Sequence, residues 1–178
     1  MYFDNSIAKN YYEKIDGIRL RRKFRIRTYT KTRDEKVPLF LEQKGRYIDR
    51  TFKTRVPIDY DILQSFENNN NRFSLLEALP NVPLIEEFVF ESARLHIKPS
   101  VLVDYVRRPH ISHYDLNFRV TFDSQIRAAA ASTFFPDSRE RWVMCDAGYT
   151  ILEVKFHRRI PAWFLRLIQA HNLRRLSI

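Results

Sequence analysis

The chain has three glycines, Gly17, Gly45 and Gly148, in 178 residues. Glycines so far apart cannot build a P-loop, a dinucleotide fingerprint or a glycine-rich kinase loop, since each of these needs clustered glycines to lay backbone N–H groups against phosphates. Any nucleotide or phosphate ligand must therefore be held by side chains. A single cysteine, Cys145, excludes an intrachain disulfide and suits a reducing compartment; a buried structural thiol is the plainer reading of it than a nucleophile. No apolar run reaches the roughly 18 residues of a membrane span. The opening MYFDNSIAKN has neither the basic start nor the apolar stretch of a signal peptide. A cytoplasmic protein without a membrane span is the expectation. Acids are also scarce, with 21 Asp and Glu against 31 Lys and Arg, for a formal net charge of +10. An excess of this size points to a polyanionic partner.

What is present is a folding sequence. It is 44% hydrophobic and 14% aromatic, and its length suits one domain with its own core. The cations are 22 arginines and 9 lysines. Arginine is the better bidentate phosphate ligand, although a GC-rich genome would produce the same bias.

Alternation dominates the chain and predicts strands near Ile18–Thr30, Leu39–Gly45, Thr51–Pro57, Ser100–Arg107, Leu116–Ser124 and Tyr149–His157. Helical spacing follows Pro57, with Asp59 as the cap and the Asn68–Asn71 run as a loop. It recurs over LIEEFVFESARLH and is clearest in IPAWFLRLIQAHNL, where Ile160, Trp163, Phe164, Leu167 and Ile168 share one face. FFPDSRERWV reads as a loop. With no linker in sight, a single α+β domain is the economical organisation.

The strand KFRIRTYT poses the functional question. Arg19, Arg21, Lys23, Arg25 and Arg27 fall on one face, opposite Phe24 and Ile26. A half-wet antiparallel strand also alternates, but it usually mixes Thr, Ser, Glu and Lys, whereas a row of like charges repels itself. Other strands repeat the division: Lys53 with Arg55, Arg107 with Tyr105, and Arg119 with Thr121 and Asp123. LFLEQKGR and TILEVKFHR echo one another, placing Glu42 with Lys44 and Glu153 with Lys155 on their polar faces. A closed or nearly closed barrel with a cationic lumen and helices on its apolar outer face accounts for the whole set. In such a lumen Glu42, Asp123 and Glu153 are the acids available to a divalent cation. His110 and His113, three apart beside Pro109, are a weaker metal candidate, and loop histidines are more often simply exposed.

In order and spacing, YYEKIDGIRLRRKFRIRTY, LFLEQKGR, FKTRVPI, YVRRPHISHYDLNFRVTFD and ILEVKFHRRIPAWFLRLIQ resemble the polyphosphate polymerase domain of the vacuolar transporter chaperone family. That domain belongs to the triphosphate tunnel metalloenzymes. The resemblance implies an antiparallel β-barrel or tunnel that binds ATP and inorganic polyphosphate with Mn²⁺ or Mg²⁺. It implies catalytic and phosphate-binding roles for Arg25, Arg27, Lys44, Arg107, Arg119 and Lys155, and Glu153 as the metal ligand; Lys53 and Arg55, which share a strand face, are read as further phosphate ligands. It also implies that a first strand and a C-terminal edge strand are lacking, so that 1–178 is one tunnel domain truncated at both ends.

The activity expected is transfer of the ATP γ-phosphate to a growing polyphosphate chain. The alternatives are a metal-dependent triphosphatase on the same scaffold, separated by its products, and a catalytically inactive polyanion binder. Nucleic acid is not an expected partner. Phe24, Phe118, Phe122 and Phe156 fall on apolar faces and Phe40 on the Glu42/Lys44 face, an arrangement closer to a core than to a stacking platform.

Overall fold

The computed structural model describes residues 1–48, 50–69, 73–135, 141–145 and 147–176. In chain order the elements are β1 (Tyr2–Asp4), α1 (Lys9–Ile15), β2 (Leu20–Arg27), β3 (Leu39–Tyr47), β4 (Arg50–Ile58), α2 (Tyr60–Asn69), α3 (Phe73–Ala78), α4 (Pro83–Leu95), β5 (Lys98–Ile111), β6 (Arg119–Ala130), β7 (Val143–Met144), β8 (Ile151–Lys155) and α5 (Ala162–Ala170). The strands form one antiparallel sheet in the order β4-β3-β2-β1-β5-β6-β7, with β8 paired to β6 off this path. The α+β class and the antiparallel sheet agree with the alternation in the sequence. Among the described residues the sheet is not closed, its order ending at β4 and β7, which is consistent with the tunnel-like antiparallel fold expected to lack edge strands.

All six expected strands form, with shifted ends. The largest shift is in β6, which runs to Ala130 where the alternation stops at Ser124. Gln125 takes a left-handed conformation (φ 52°) that lets the strand continue past the break. The Asn68–Asn71 run, expected to be a loop, begins inside α2; positions 70 and 71 lie outside the described residues. FFPDSRERWV ends as β7 at Val143, and its 136–140 stretch lies outside the described residues. No pattern announces α1, because that helix buries nothing and so carries no apolar stripe.

The chain divides into two compact units, Met1–Val103 with Ala128–Val143, and Asp104–Arg127 with Met144–Ile178. In the first, α4 covers the apolar face of β1 to β3. Leu84, Ile85, Phe88 and Val89 are buried against Phe3, Phe24, Ile26, Leu39 and Leu41. Phe88 meets Phe3 and Phe24 edge-on at 5.0 and 5.3 Å between ring centroids, and burying each such ring contributes on the order of 2–3 kcal/mol. In the second unit, Phe164 of α5 packs on Phe118 and Val120 of the β6 region, with Ile160 and Ile168 alongside. Of the five stripe residues Phe164 is buried, Ile160 and Ile168 are partly buried, and Trp163 and Leu167 are half-exposed. Phe122 and Phe156, expected on core faces, are also partly exposed.

One glycine sets the position of β4. Gly45 on β3 pairs directly with Phe52 on β4. The phenyl ring lies across the glycine, and a Cβ there would fall inside the ring's van der Waals envelope. The ring thus packs on bare backbone and holds an edge strand that is otherwise largely exposed. We expect Gly45→Ala to lower stability by about 1–2 kcal/mol and to cost almost nothing in a Phe52→Ala background. A double-mutant cycle in urea measures this, and an equal cost in both backgrounds would remove the ring from the explanation.

Candidate functional site

Register turns the alternation into rows. Across β2, β3 and β4 the pairing aligns Lys23 with Lys44 and Lys53, and Arg25 with Glu42 and Arg55. It also aligns Arg21 with Arg46 and Thr51, and Arg27 with Phe40 and Pro57. Neighbouring strands lie about 4.8 Å apart, so each row sets its side chains close enough to interact strongly. The first unit therefore presents a face of seven named lysines and arginines in its first three rows, and the carboxylate within those rows is Glu42. Tyr2 joins the same face through its pairing with Arg25.

Glu42 is fully buried. Its Oε2 accepts from Arg25 Nε at 2.8 Å and lies 2.7 Å from Arg25 Nη2, while its Oε1 lies 2.5 Å from Lys53 Nζ. Arg25 Nη1 also donates to the Tyr2 hydroxyl at 2.7 Å. Burial alone would push the Glu42 carboxyl up. Hydrogen bonds and positive charge from Lys53 and Arg25 outweigh it and hold the group below the ordinary carboxylate range. Burial likewise works against the charged form of Arg25, and Tyr2 and Glu42 reverse that effect, raising its pKa. Arg55 stacks over Phe40 at 4.7 Å and Arg27 over Tyr29 at 5.0 Å. Lys44 is exposed.

Lys23 carries the electrostatic signature of this face. Its ammonium is depressed below the usual lysine range, first by burial and then by the positive charges of Lys14, Arg21 and Lys44, against a partial offset from Asp4. The sequence places Lys23 in the basic row, but the resemblance gives it no role. Its significance comes from register, which stacks it beside two more lysines.

The second unit repeats the chemistry with different proportions. Pairing of β6 with β8 aligns Arg119 with Lys155, Thr121 with Glu153 and Asp123 with Ile151, all on one face. Arg107 of β5 reaches the same carboxylates: its Nε donates to Asp123 Oδ1 at 2.7 Å, and its Nη2 donates to Asp123 Oδ2 at 2.5 Å and to Glu153 Oε2 at 3.2 Å. Its guanidinium lies over Tyr105 at 5.1 Å. The hydrogen bonds to Asp123 raise the pKa of Arg107 far above its ordinary value against the cost of burial. Lys155 Nζ lies 3.3 Å from Glu153 Oε1.

The residues singled out from the sequence thus fall into two groups. Arg25, Arg27, Lys44, Lys53 and Arg55 share a face in the first unit, and Arg107, Arg119, Glu153 and Lys155 are brought together in the second. Among the described residues no group of three or more His, Cys, Asp or Glu could hold a metal. His110 instead meets the Phe122 ring edge-on at 5.7 Å. The donor set in the second unit is two carboxylates that also carry Arg107. This is too few for an all-protein site and suited to Mg²⁺ or Mn²⁺ shared with substrate phosphates. Glu153 is the better candidate, being the more exposed and the less tightly bound to arginine.

An antiparallel α+β protein whose strand faces carry cations in register, organised around Glu42 in one unit and Asp123 with Glu153 in the other, is the class that these features define. The family model for the VTC domain matches residues 1–178, and the chain belongs to that family. Membership gives it a polyphosphate-related role. A search of curated proteins found no match.

Removal of the Glu42 charge tests the first face. Glu42→Gln leaves Arg25 and Lys53 facing one another, and should destabilise the fold by about 3 kcal/mol. Because the folded carboxyl titrates below its unfolded value of 4.5, its stabilisation is complete above that value and is lost as pH falls through the folded one. Urea unfolding from pH 7 down to about pH 3 should show a decline below about pH 5 that Glu42→Gln reduces. An unchanged decline would mean that Glu42 is not the linked group.

Proposed function

We propose that this chain binds inorganic polyphosphate and the triphosphate of ATP on its cationic strand faces and transfers the ATP γ-phosphate to the end of a polyphosphate chain. The observation that carries this reading is the cross-strand row Lys23–Lys44–Lys53 flanked by arginines, a face whose cations outnumber Glu42, the carboxylate within its rows, and which a linear polyanion neutralises. In the transfer, a terminal oxygen of the polyphosphate attacks the γ-phosphorus, the bond from that phosphorus to the β–γ bridging oxygen breaks, and ADP leaves. Such a step asks the protein for in-line positioning and charge neutralisation more than for covalent chemistry. Arg25, Arg27, Lys44, Lys53 and Arg55 bind phosphate on the first face. Arg107, Arg119 and Lys155 bind it on the second. Mg²⁺ or Mn²⁺, held by Glu153 with Asp123, would supply further neutralisation of phosphate oxygens.

A second reading is a polyanion binder without turnover, and a specific observation favours it: Arg107 already engages both carboxylates that a metal would need. The two readings share the binding step and part at catalysis.

The test begins with thermal unfolding in tripolyphosphate, with sulfate at matched ionic strength as the control anion. At a hundredfold excess over Kd, native-state binding should raise the midpoint by roughly 5–10 °C, and sulfate should do much less. Lys23→Ala should raise the midpoint of the free protein, by relieving repulsion, while weakening tripolyphosphate binding about tenfold. Equal shifts with both anions would reduce the face to a generic basic surface and remove the proposal's support. If the shift is specific, incubation with ATP, Mn²⁺ and a short polyphosphate primer separates the readings: chain growth that Glu153→Ala abolishes means polymerase, orthophosphate release means hydrolase, and binding without turnover means the inactive module.

A further inference from the structure

The last 25 residues, 154–178, contain no Asp or Glu and six cations: Lys155, Arg158, Arg159, Arg166, Arg174 and Arg175. Lys155 belongs to the strand face already described. The five arginines are exposed, and no ion pair links any of them to a carboxylate among the described residues. Large apolar side chains are exposed among them. Trp163 is 50% exposed, Leu167 45%, Leu173 48% and Leu176 77%. On α5, Trp163, Leu167 and Ala170 follow i, i+4, i+7 spacing, so they form a strip beside the one that Phe164 and Ile168 bury against the sheet.

We propose that α5 and the segment after it form a surface that docks on an anionic membrane, with the arginines on lipid headgroups and Trp163, Leu167, Leu173 and Leu176 entering the headgroup–acyl boundary. Two alternative occupants fit less well. A second copy of the chain on a two-fold axis would set five arginines, without an ion pair among the described residues, against five more, with no acid in either segment. Nucleic acid would use the arginines, but four exposed leucines, counting Leu165, offer nothing to a phosphate backbone or to base stacking. A mixed surface of arginine, tryptophan and leucine with no acids is instead what an interfacial helix presents, since both parts gain when the anionic interface receives them together. The helix has nine residues, about 14 Å long, so it can lie in an interface and cannot span a bilayer. None of this depends on the ligand of the strand faces.

The experiment is co-sedimentation of the full chain with vesicles of phosphatidylcholine alone and of phosphatidylcholine with about one-third phosphatidylserine. We expect binding to the mixed vesicles at least tenfold tighter than to the neutral ones, weakened by salt. Arg158→Glu with Arg159→Glu should abolish it, and Leu167→Ser with Leu173→Ser should weaken it at least threefold. These side chains lie outside the described cores, and an unchanged thermal midpoint confirms that each variant folds. Lys44→Ala with Arg119→Ala should weaken tripolyphosphate binding and leave vesicle binding unchanged, which keeps this proposal separate from the preceding one. The proposal is overturned by equal binding to both vesicles, by charge-reversal variants that bind normally, or by leucine variants without effect. It is overturned equally if the α5 substitutions abolish binding to duplex DNA while sparing vesicles, the outcome of a nucleic-acid surface.

Discussion

Repulsion among like charges is the constraint that the first unit has to meet. Three strands bring Lys23, Lys44 and Lys53 into one row and Arg25 and Arg55 into the next, and a sheet of such residues without counter-charge would resist pairing. Glu42 supplies that counter-charge from within the row. Buried and bonded to both Arg25 and Lys53, it ties β2 and β4 to the central β3 through charged groups as well as backbone hydrogen bonds. It neutralises one charge of several, so the face remains strongly positive. That residual charge makes the strand face receptive to a polyanion, and the depressed Lys23 ammonium is its local expression.

The second unit solves the same problem in a different ratio. There the cations Arg107, Arg119 and Lys155 face two acids, and Arg107 holds both. The Leu-Glu-x-Lys motif occurs in both units, but its glutamates have different environments. Glu42 lies on a strand with neighbours on both sides, which close over it. Glu153 lies on β8, whose one described neighbour is β6, and it stays partly open. The number of neighbouring strands thus separates a buried counter-ion from a carboxylate that stays open to solvent.

Much of the fold was legible because alternation reports burial directly. Each strand with one apolar and one charged face was found in place, and α4 and α5 were visible from their helical spacing. Patterns failed where nothing is buried, as in α1, or where a backbone irregularity resets the phase, as at Gln125 in β6. The helix α5 was legible as a helix, but its packing was not. Spacing groups Trp163 and Leu167 with Phe164, but the partner surface buries only Phe164, covers Ile160 and Ile168 in part and meets Trp163 at the edge of Phe118.

By itself the sequence determined the sign and the facing of the charge. Period-two alternation assigns arginines and lysines to one side of each strand whatever the strand pairs with, and three scattered glycines leave phosphate recognition to side chains. Tertiary structure alone decided which cations became neighbours and which carboxylates they kept. Cross-strand register joins residues far apart in the chain, such as Lys23 with Lys44 and Lys53, or Arg107 with Asp123 and Glu153. No local pattern encodes that register, because it is set by the fit of the apolar faces on the other side of the sheet.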